Sequence, residues 1–177
     1  KAMTPEGVKI NLEGDFRPSA IRLRHAYGEY NGVLMGRYWS NYNSFVGNTS
    51  QLDFDGIPGT AGLQSRVSQV RYTTGPLSVS VEAPRSSIIG ATVVTDPGQT
   101  VTDNNGDPVV IGRTTASVEK DNLPTFTARI TNSVDSLSYS AAVLAHQNAY
   151  DTGTSDESSF GFGAFVAGKL AVSDMIS

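Results

Sequence analysis

The residues most able to do chemistry in this chain are arginines set two apart or opposite acids. Arg22 and Arg24 stand two positions apart in an alternating run, so they share a face. Arg37, Arg71 and Arg129, with Gln69, fall on what reads as the polar side of their own runs, while Arg66 is out of phase with Arg71 and reads as a strand end. Glu13, Asp15 and Glu82 are the acids on the corresponding faces, and Glu29 lies off the polar phase beside a turn. A guanidinium grips a carboxylate through two parallel hydrogen bonds, which suits the holding and release of an anionic solute. Arginines facing acids across a narrow passage also create a transverse field. The competing reading is that these charges form salt bridges that tie neighbouring strands together.

Other chemistries find little support. His25 and His146 are the only histidines and lie in separate runs, with no second ligand at metal spacing. Asp103, Asn105 and Asp107 alternate as calcium loops do. Gly106 is misplaced for such a loop, Pro108 follows, and no glutamate stands at the required distance. No Gly-x-Ser-x-Gly elbow occurs, and Gly161 and Gly163 lack a third glycine and read as strand packing. There is no cysteine for a disulfide or thiolate metal site, and a net charge of −4 offers no footprint for nucleic acid. The expectation is no catalytic group, no metal and no cofactor.

The elements that must position the arginines are strands. The chain is 38% hydrophobic and 17% charged, both low, with the balance in Gly, Ser, Thr and Asn, a composition that suits turn-rich β structure. Val8 to Phe16 alternates apolar Val8, Ile10, Leu12 and Phe16 with Lys9, Asn11, Glu13 and Asp15, which puts one face in an apolar medium and the other in water. The pattern recurs over 20–30, 32–42, 65–73, 77–82, 125–131, 137–146 and 160–172, giving eight strands and no helix. In the second run Ile21, Leu23, His25 and Tyr27 read as one rank against Arg22, Arg24, Ala26 and Gly28. Tyr27, Tyr38, Tyr72, Phe126, Tyr139 and Phe160 read as outward aromatics suited to interfacial girdles.

Connections sort by length. Asn31-Gly32 is a two-residue hairpin turn, and Thr74-Gly75-Pro76 and 132–136 are tight, whereas 43–64, 83–124 and 147–159 are long and polar. Short turns at one end and long loops at the other describe an up-and-down transmembrane β-barrel. The brief connection at Arg17-Pro18-Ser19 breaks the alternation. No run of ~18 apolar residues is present to make a membrane helix. The whole of 1–177 is expected to be one barrel domain and an incomplete one, because neither end looks like a natural terminus, with 84–123 a long loop that is extracellular or narrows the passage. Within that loop Val93-Val94 and Val109-Val110-Ile111 are candidates to pair with each other.

Several runs, in order and at matching spacing, resemble DcaP-type trimeric porins of Gram-negative outer membranes. They are Ile10 to Phe16, Ile21 to Glu29, Leu34 to Ser40, Leu52 to Gly56 and Gln69 to Thr73. The likeness is specific over residues 8–83 and general beyond them. It implies a barrel of about sixteen strands, a homotrimer in contact with outer-membrane lipid and lipopolysaccharide, and passage of small organic anions such as dicarboxylates. Arg37 departs from it, standing where a neutral polar residue, usually Gln, is expected. The pore-lining set is then Arg22, Arg24, Arg37, Gln69, Arg71, Glu13, Asp15, Glu82 and Arg129. The alternatives are a small closed eight-strand barrel with an anchoring or adhesion role, a soluble β-sandwich binding module, and an outer-membrane enzyme of the phospholipase or protease kind.

Overall fold

The structure, a computed structural model, describes residues 1–17, 20–48, 60–84, 92–96, 98–102, 105–106, 108–111, 114–117, 123–151 and 156–172. In chain order the strands are β1 (Ala2–Met3), β2 (Lys9–Arg17), β3 (Ala20–Tyr30), β4 (Val33–Trp39), β5 (Asn43–Ser44), β6 (Ala61–Gly62), β7 (Arg66–Thr74) and β8 (Leu77–Glu82). There follow β9 (Thr92–Asp96), β10 (Gln99–Thr102), β11 (Pro108–Ile111), β12 (Thr114–Ser117), β13 (Thr125–Val134), β14 (Leu137–Asp151) and β15 (Asp156–Leu170). One antiparallel sheet runs β1-β2-β3-β4-β7-β8-β13-β14-β15, each strand beside its neighbour in this order. All eight long strands read from the alternation are there, and β1 adds a two-residue edge. The sheet does not close on itself: β15 pairs with β14 alone, so the described strands form neither a closed eight-strand barrel nor two sheets packed face to face.

Local chemistry explains the turns. Asn31 and Gly32 have φ of 47° and 79°, as a type I′ hairpin demands at both central positions, and Tyr30 pairs with Val33 across it. The other tight turns, at Gly75-Pro76 and Asp135-Ser136, lie at the same end of the sheet. The long connections β4–β7 and β8–β13 lie at the other end.

The third connection differs from expectation. Residues 147–151 and 156–159, read as loop, are strand: β14 and β15 pair without interruption from Leu137↔Leu170 to Asp151↔Asp156. The outer part read as loop because its residues are polar, among them Gln147, Asn148, Ser158 and Ser159. Fifteen residues span ~50 Å and, tilted by ~40°, still rise ~38 Å, above an apolar band ~25 Å tall. In a membrane barrel such a hairpin would stand out of the band, where polar side chains belong. The two candidate segments of the β8–β13 connection are both strand, but with other partners. Val93 and Val94 of β9 pair with Ala116 and Thr115 of β12, and Val109 and Val110 of β11 pair with Val101 and Thr100 of β10.

The two faces are inverted relative to a water-soluble fold. Ile10, Leu12, Phe16, Val79, Phe162 and Val166 are all exposed, Phe162 at 80% and Val166 at 84%. Buried side chains are mostly polar, including Asn11, Gln69, Arg71, Ser80, Thr127 and Ser140. An apolar surface of this extent on a water-soluble monomer is exceptional. The total accessible area, 12085 Å², also exceeds the ~8300 Å² of a compact monomer of this mass.

One backbone position is special for a steric reason. Gly36 in β4 has φ of 129°, and a Cβ there would press on the Ala26 carbonyl oxygen and lie 2.8 Å from Tyr27 Cα. Gly36→Ala is expected to destabilise the sheet by about 1–3 kcal/mol. Urea-dependent refolding into detergent micelles is the measurement, and an unchanged midpoint would show that β4 relaxes at no cost.

Candidate functional site

The candidate site is the polar face and the segment that lies on it. A β-bulge in β3 sets the first part. Glu13 pairs with His25 and Gly14 with Leu23, so Arg24 is the extra residue and the alternation shifts by one. His25, Tyr27 and Glu29 thereby join Arg22 on the polar face, while Ala26 and Gly28 stand opposite Leu12 and Ile10 on the apolar one. This corrects the rank that put Tyr27 outward, and it brings Glu29 into phase, where it meets Lys9 at 3.2 Å. Tyr38 is also inward. It packs edge-on against Tyr27 at 4.8 Å between centroids, and the Arg71 guanidinium lies 5.4 Å from its ring. Tyr72, Phe126 and Phe160 are exposed on the apolar side as expected.

The bulge concentrates charge. Arg22 forms a two-pronged pair with Asp15, its Nε bond being 2.9 Å. Arg24 reaches Asp15 at 2.9 Å and Glu13 at 3.3 Å. His25 Nδ1 lies 3.1 Å from Glu13, and its Nε2 accepts from Arg66 Nε at 3.0 Å, which places the imidazole proton on Nδ1. The Arg66 guanidinium also stacks over Trp39 at 3.7 Å. Arg22 and Arg24 are therefore compensated cations, as the salt-bridge reading has it.

Arg71 and Arg129 differ. Among the described residues neither has a carboxylate within 4.0 Å. Arg71, 6% exposed, donates from Nε to Gln69 at 3.0 Å and from Nη2 to the Trp39 carbonyl at 2.5 Å. Arg129 donates from Nη1 to the Asn43 carbonyl at 2.6 Å, and its Nε is buried without a partner. Together with Tyr38, Trp39, Phe45 and Thr131 they line a cavity of about 410 Å³. Gln69 also donates to the Trp39 carbonyl at 2.8 Å, which fixes the floor.

Arg37 is where the structure departs from the expected set. It stands in register with Ala26 and Ser68, the phase of exposed Met35, whereas Leu34, Gly36 and Tyr38 share the phase of Arg71 and Gln69. Alternation alone does not say which of two mixed ranks faces the polar side. Its Nε is buried without a hydrogen-bond partner.

The roof of the cavity is the stretch after β4, and its role was not legible in the sequence. Ser40, Asn41, Asn43 and Ser44 are 0–4% exposed, among the most buried side chains described. They lie across the polar face, joined to the returning chain through Asn43↔Gly62, Ser44↔Ala61 and a Gln64–Asn43 hydrogen bond of 2.8 Å. Glu82, read as an opposing acid of the passage, is covered by this stretch. Tyr42 reaches Phe165 of β15 at 5.1 Å, and a side chain at Gly163 would meet the Tyr42 hydroxyl at 2.9 Å, which explains that glycine. Burial raises the Tyr42 phenol above its ordinary pKa. His146 is tied to Thr125 at 3.0 Å. Asp103 and Asp107 of the calcium-like spacing, and the run Leu52 to Gly56, lie outside the described residues.

An open, twofold-alternating antiparallel sheet with an apolar outside, a charged polar face and loops sorted by end has the fold of outer-membrane β-barrel channels. The comparison with solved structures agrees. The chain is similar to the outer membrane channel DcaP of Acinetobacter baumannii, with 29% sequence identity and a TM-score of 0.65. The match covers 95% of this chain and 44% of that channel, so the chain spans just under half its length. No family model matches the chain, and no curated protein does.

Proposed function

We propose that this chain forms part of the wall of an outer-membrane porin, a passive diffusion channel for small hydrophilic solutes that favours small organic anions such as dicarboxylates. The supporting observation is the pair Arg71, buried, and Arg129, half-buried, on the polar face beside a cavity and with no carboxylate within 4.0 Å among the described residues. Fixed guanidinium charges on a pore wall favour anions. A homotrimer embedded in outer-membrane lipid and lipopolysaccharide belongs to the same reading, by the likeness to DcaP-type porins. The solved structure it resembles is a channel and not an enzyme.

Stepwise currents in a planar bilayer test the reading. Steps in groups of three, with a reversal potential under a salt gradient that reports anion preference, support it. The absence of current refutes it, and cation preference discards the role of the arginines. A graded version uses the compensated pairs. Asp15→Asn leaves Arg22 without its two-pronged partner, and one uncovered charge about 6 Å from the path is worth ~0.7 kcal/mol in water. Anion preference is then expected to rise roughly threefold. An unchanged reversal potential would mean that the Arg22–Asp15 cluster lies off the path.

A further inference from the structure

We propose that Glu82 is the positioning residue that pins the stretch Ser40–Phe45 to the polar wall and thereby sets the width of the passage. The aperture part of this inference rests on the porin reading above. The Glu82 side chain is 3% exposed and has no Lys or Arg within 4.0 Å among the described residues. Three neutral donors satisfy it instead: the Asn41 backbone N–H at 2.6 Å, the Ser40 hydroxyl at 2.8 Å and the Ser80 hydroxyl at 2.9 Å. Two of these come from the stretch itself and one from the wall beneath it. The stretch answers in kind, because the Asn41 side chain donates to the Ser78 carbonyl at 3.1 Å and accepts from the Ser78 hydroxyl at 2.7 Å. The Ser40 hydroxyl oxygen in turn accepts from the Tyr42 backbone N–H at 3.1 Å.

This is an unusual place for a carboxylate. A buried acid normally needs a cation or several aligned donors. Here two of the three donors are supplied by a segment whose buried side chains are Ser and Asn rather than apolar groups, so its place inside depends on polar ties of this kind. Removing the acceptor leaves the Asn41 amide and the Ser40 hydroxyl unsatisfied on the wall, and water is then the better partner. Other ties remain, from the Ser40 N–H to the Ser65 carbonyl, from Asn41 to Ser78, from Arg129 to the Asn43 carbonyl and from Tyr42 to Phe165, but Glu82 is the one acceptor that takes both Ser40 and Asn41. Glu82 therefore contributes geometry to the passage, where the alternation in β8 suggested a charge exposed to solutes.

Two variants separate these roles. Glu82→Gln removes the charge and keeps a carbonyl for the Asn41 amide and the Ser80 hydroxyl, whereas Glu82→Ala removes every acceptor. The readouts are single-channel conductance and amide exchange over residues 40–45, both on the whole protein in membranes or detergent. The expected result is wild-type conductance in Glu82→Gln and higher, noisier conductance in Glu82→Ala. The Asn41 amide is expected to exchange roughly tenfold faster or more in Glu82→Ala, the factor carried by a hydrogen bond to a charged group. Asn41→Ala is expected to raise the conductance as Glu82→Ala does. Equal conductance in wild type and Glu82→Ala overturns the aperture role. A change confined to reversal potential and equal in both Glu82 variants assigns Glu82 as a charge and overturns the positioning role. If the wild-type protein carries no current, the porin reading and the aperture role fall together, and exchange alone decides the anchor: an Asn41 amide as slow in Glu82→Ala as in wild type overturns it.

Discussion

Replacing Arg71 and Arg129 together by glutamine is expected to lower the anion-to-cation permeability ratio by roughly tenfold, because two unit charges about 6 Å from the path are worth ~1.4 kcal/mol in water. These two are chosen over the more conspicuous Arg22 and Arg24 because of their partners. Asp15 and Glu13 already neutralise much of the Arg22–Arg24 field at the solute. Arg71 and Arg129 are held by carbonyl and amide oxygens, which orient the guanidinium, and the Glu82 carboxylate acts on both only from beyond 4.0 Å. Reversal potential under a salt gradient measures the effect. The lysine pair provides the control, since it keeps both charges while losing the planar fork. If the glutamine and lysine pairs behave alike, the selectivity does not come from charge at these positions, and the anion reading fails at its best-supported point.

The second large effect concerns the opposite face. Val143 lies in β14 between Ala128 and Ala164 and is 55% exposed. Val143→Arg is expected to destabilise the folded protein in bilayers by about 2–4 kcal/mol if the face meets lipid near the midplane. Leu170→Arg, at the strand end, is expected to cost about 0–1 kcal/mol. On a soluble domain both are surface changes expected to stay within about 0.5 kcal/mol. Denaturant titration in lipid vesicles separates the outcomes. A flat response with depth would remove the membrane from the account, and every reading of the polar face as a passage would go with it.

The sequence by itself determined the strands, their order and most of their faces. Each is a local property: side chains alternate with period two along any extended segment, so Ile10, Leu12 and Phe16 can be sorted from Asn11, Glu13 and Asp15 without reference to a neighbour. The Asn31-Gly32 turn is equally local, because positive φ at two successive residues favours those two types. The polar-face placement of Arg22, Arg24, Gln69, Arg71, Glu13, Asp15, Glu82 and Arg129 followed from this alone.

What only the tertiary structure decided is what depends on a partner strand. The bulge at Arg24 exists in the pairing of β2 with β3, and it turned His25, Tyr27 and Glu29 to the other face. The register of β4 against β7 decided which mixed rank was inward, and so moved Arg37 out of the expected set. The pairing of β14 with β15 carried both strands through polar sequence that reads as loop. The burial of Ser40, Asn41 and Asn43 against Glu82, Ser78 and Arg129 joins residues tens of positions apart, and no local pattern of Ser and Asn distinguishes a segment folded over a polar wall from one that hangs in water.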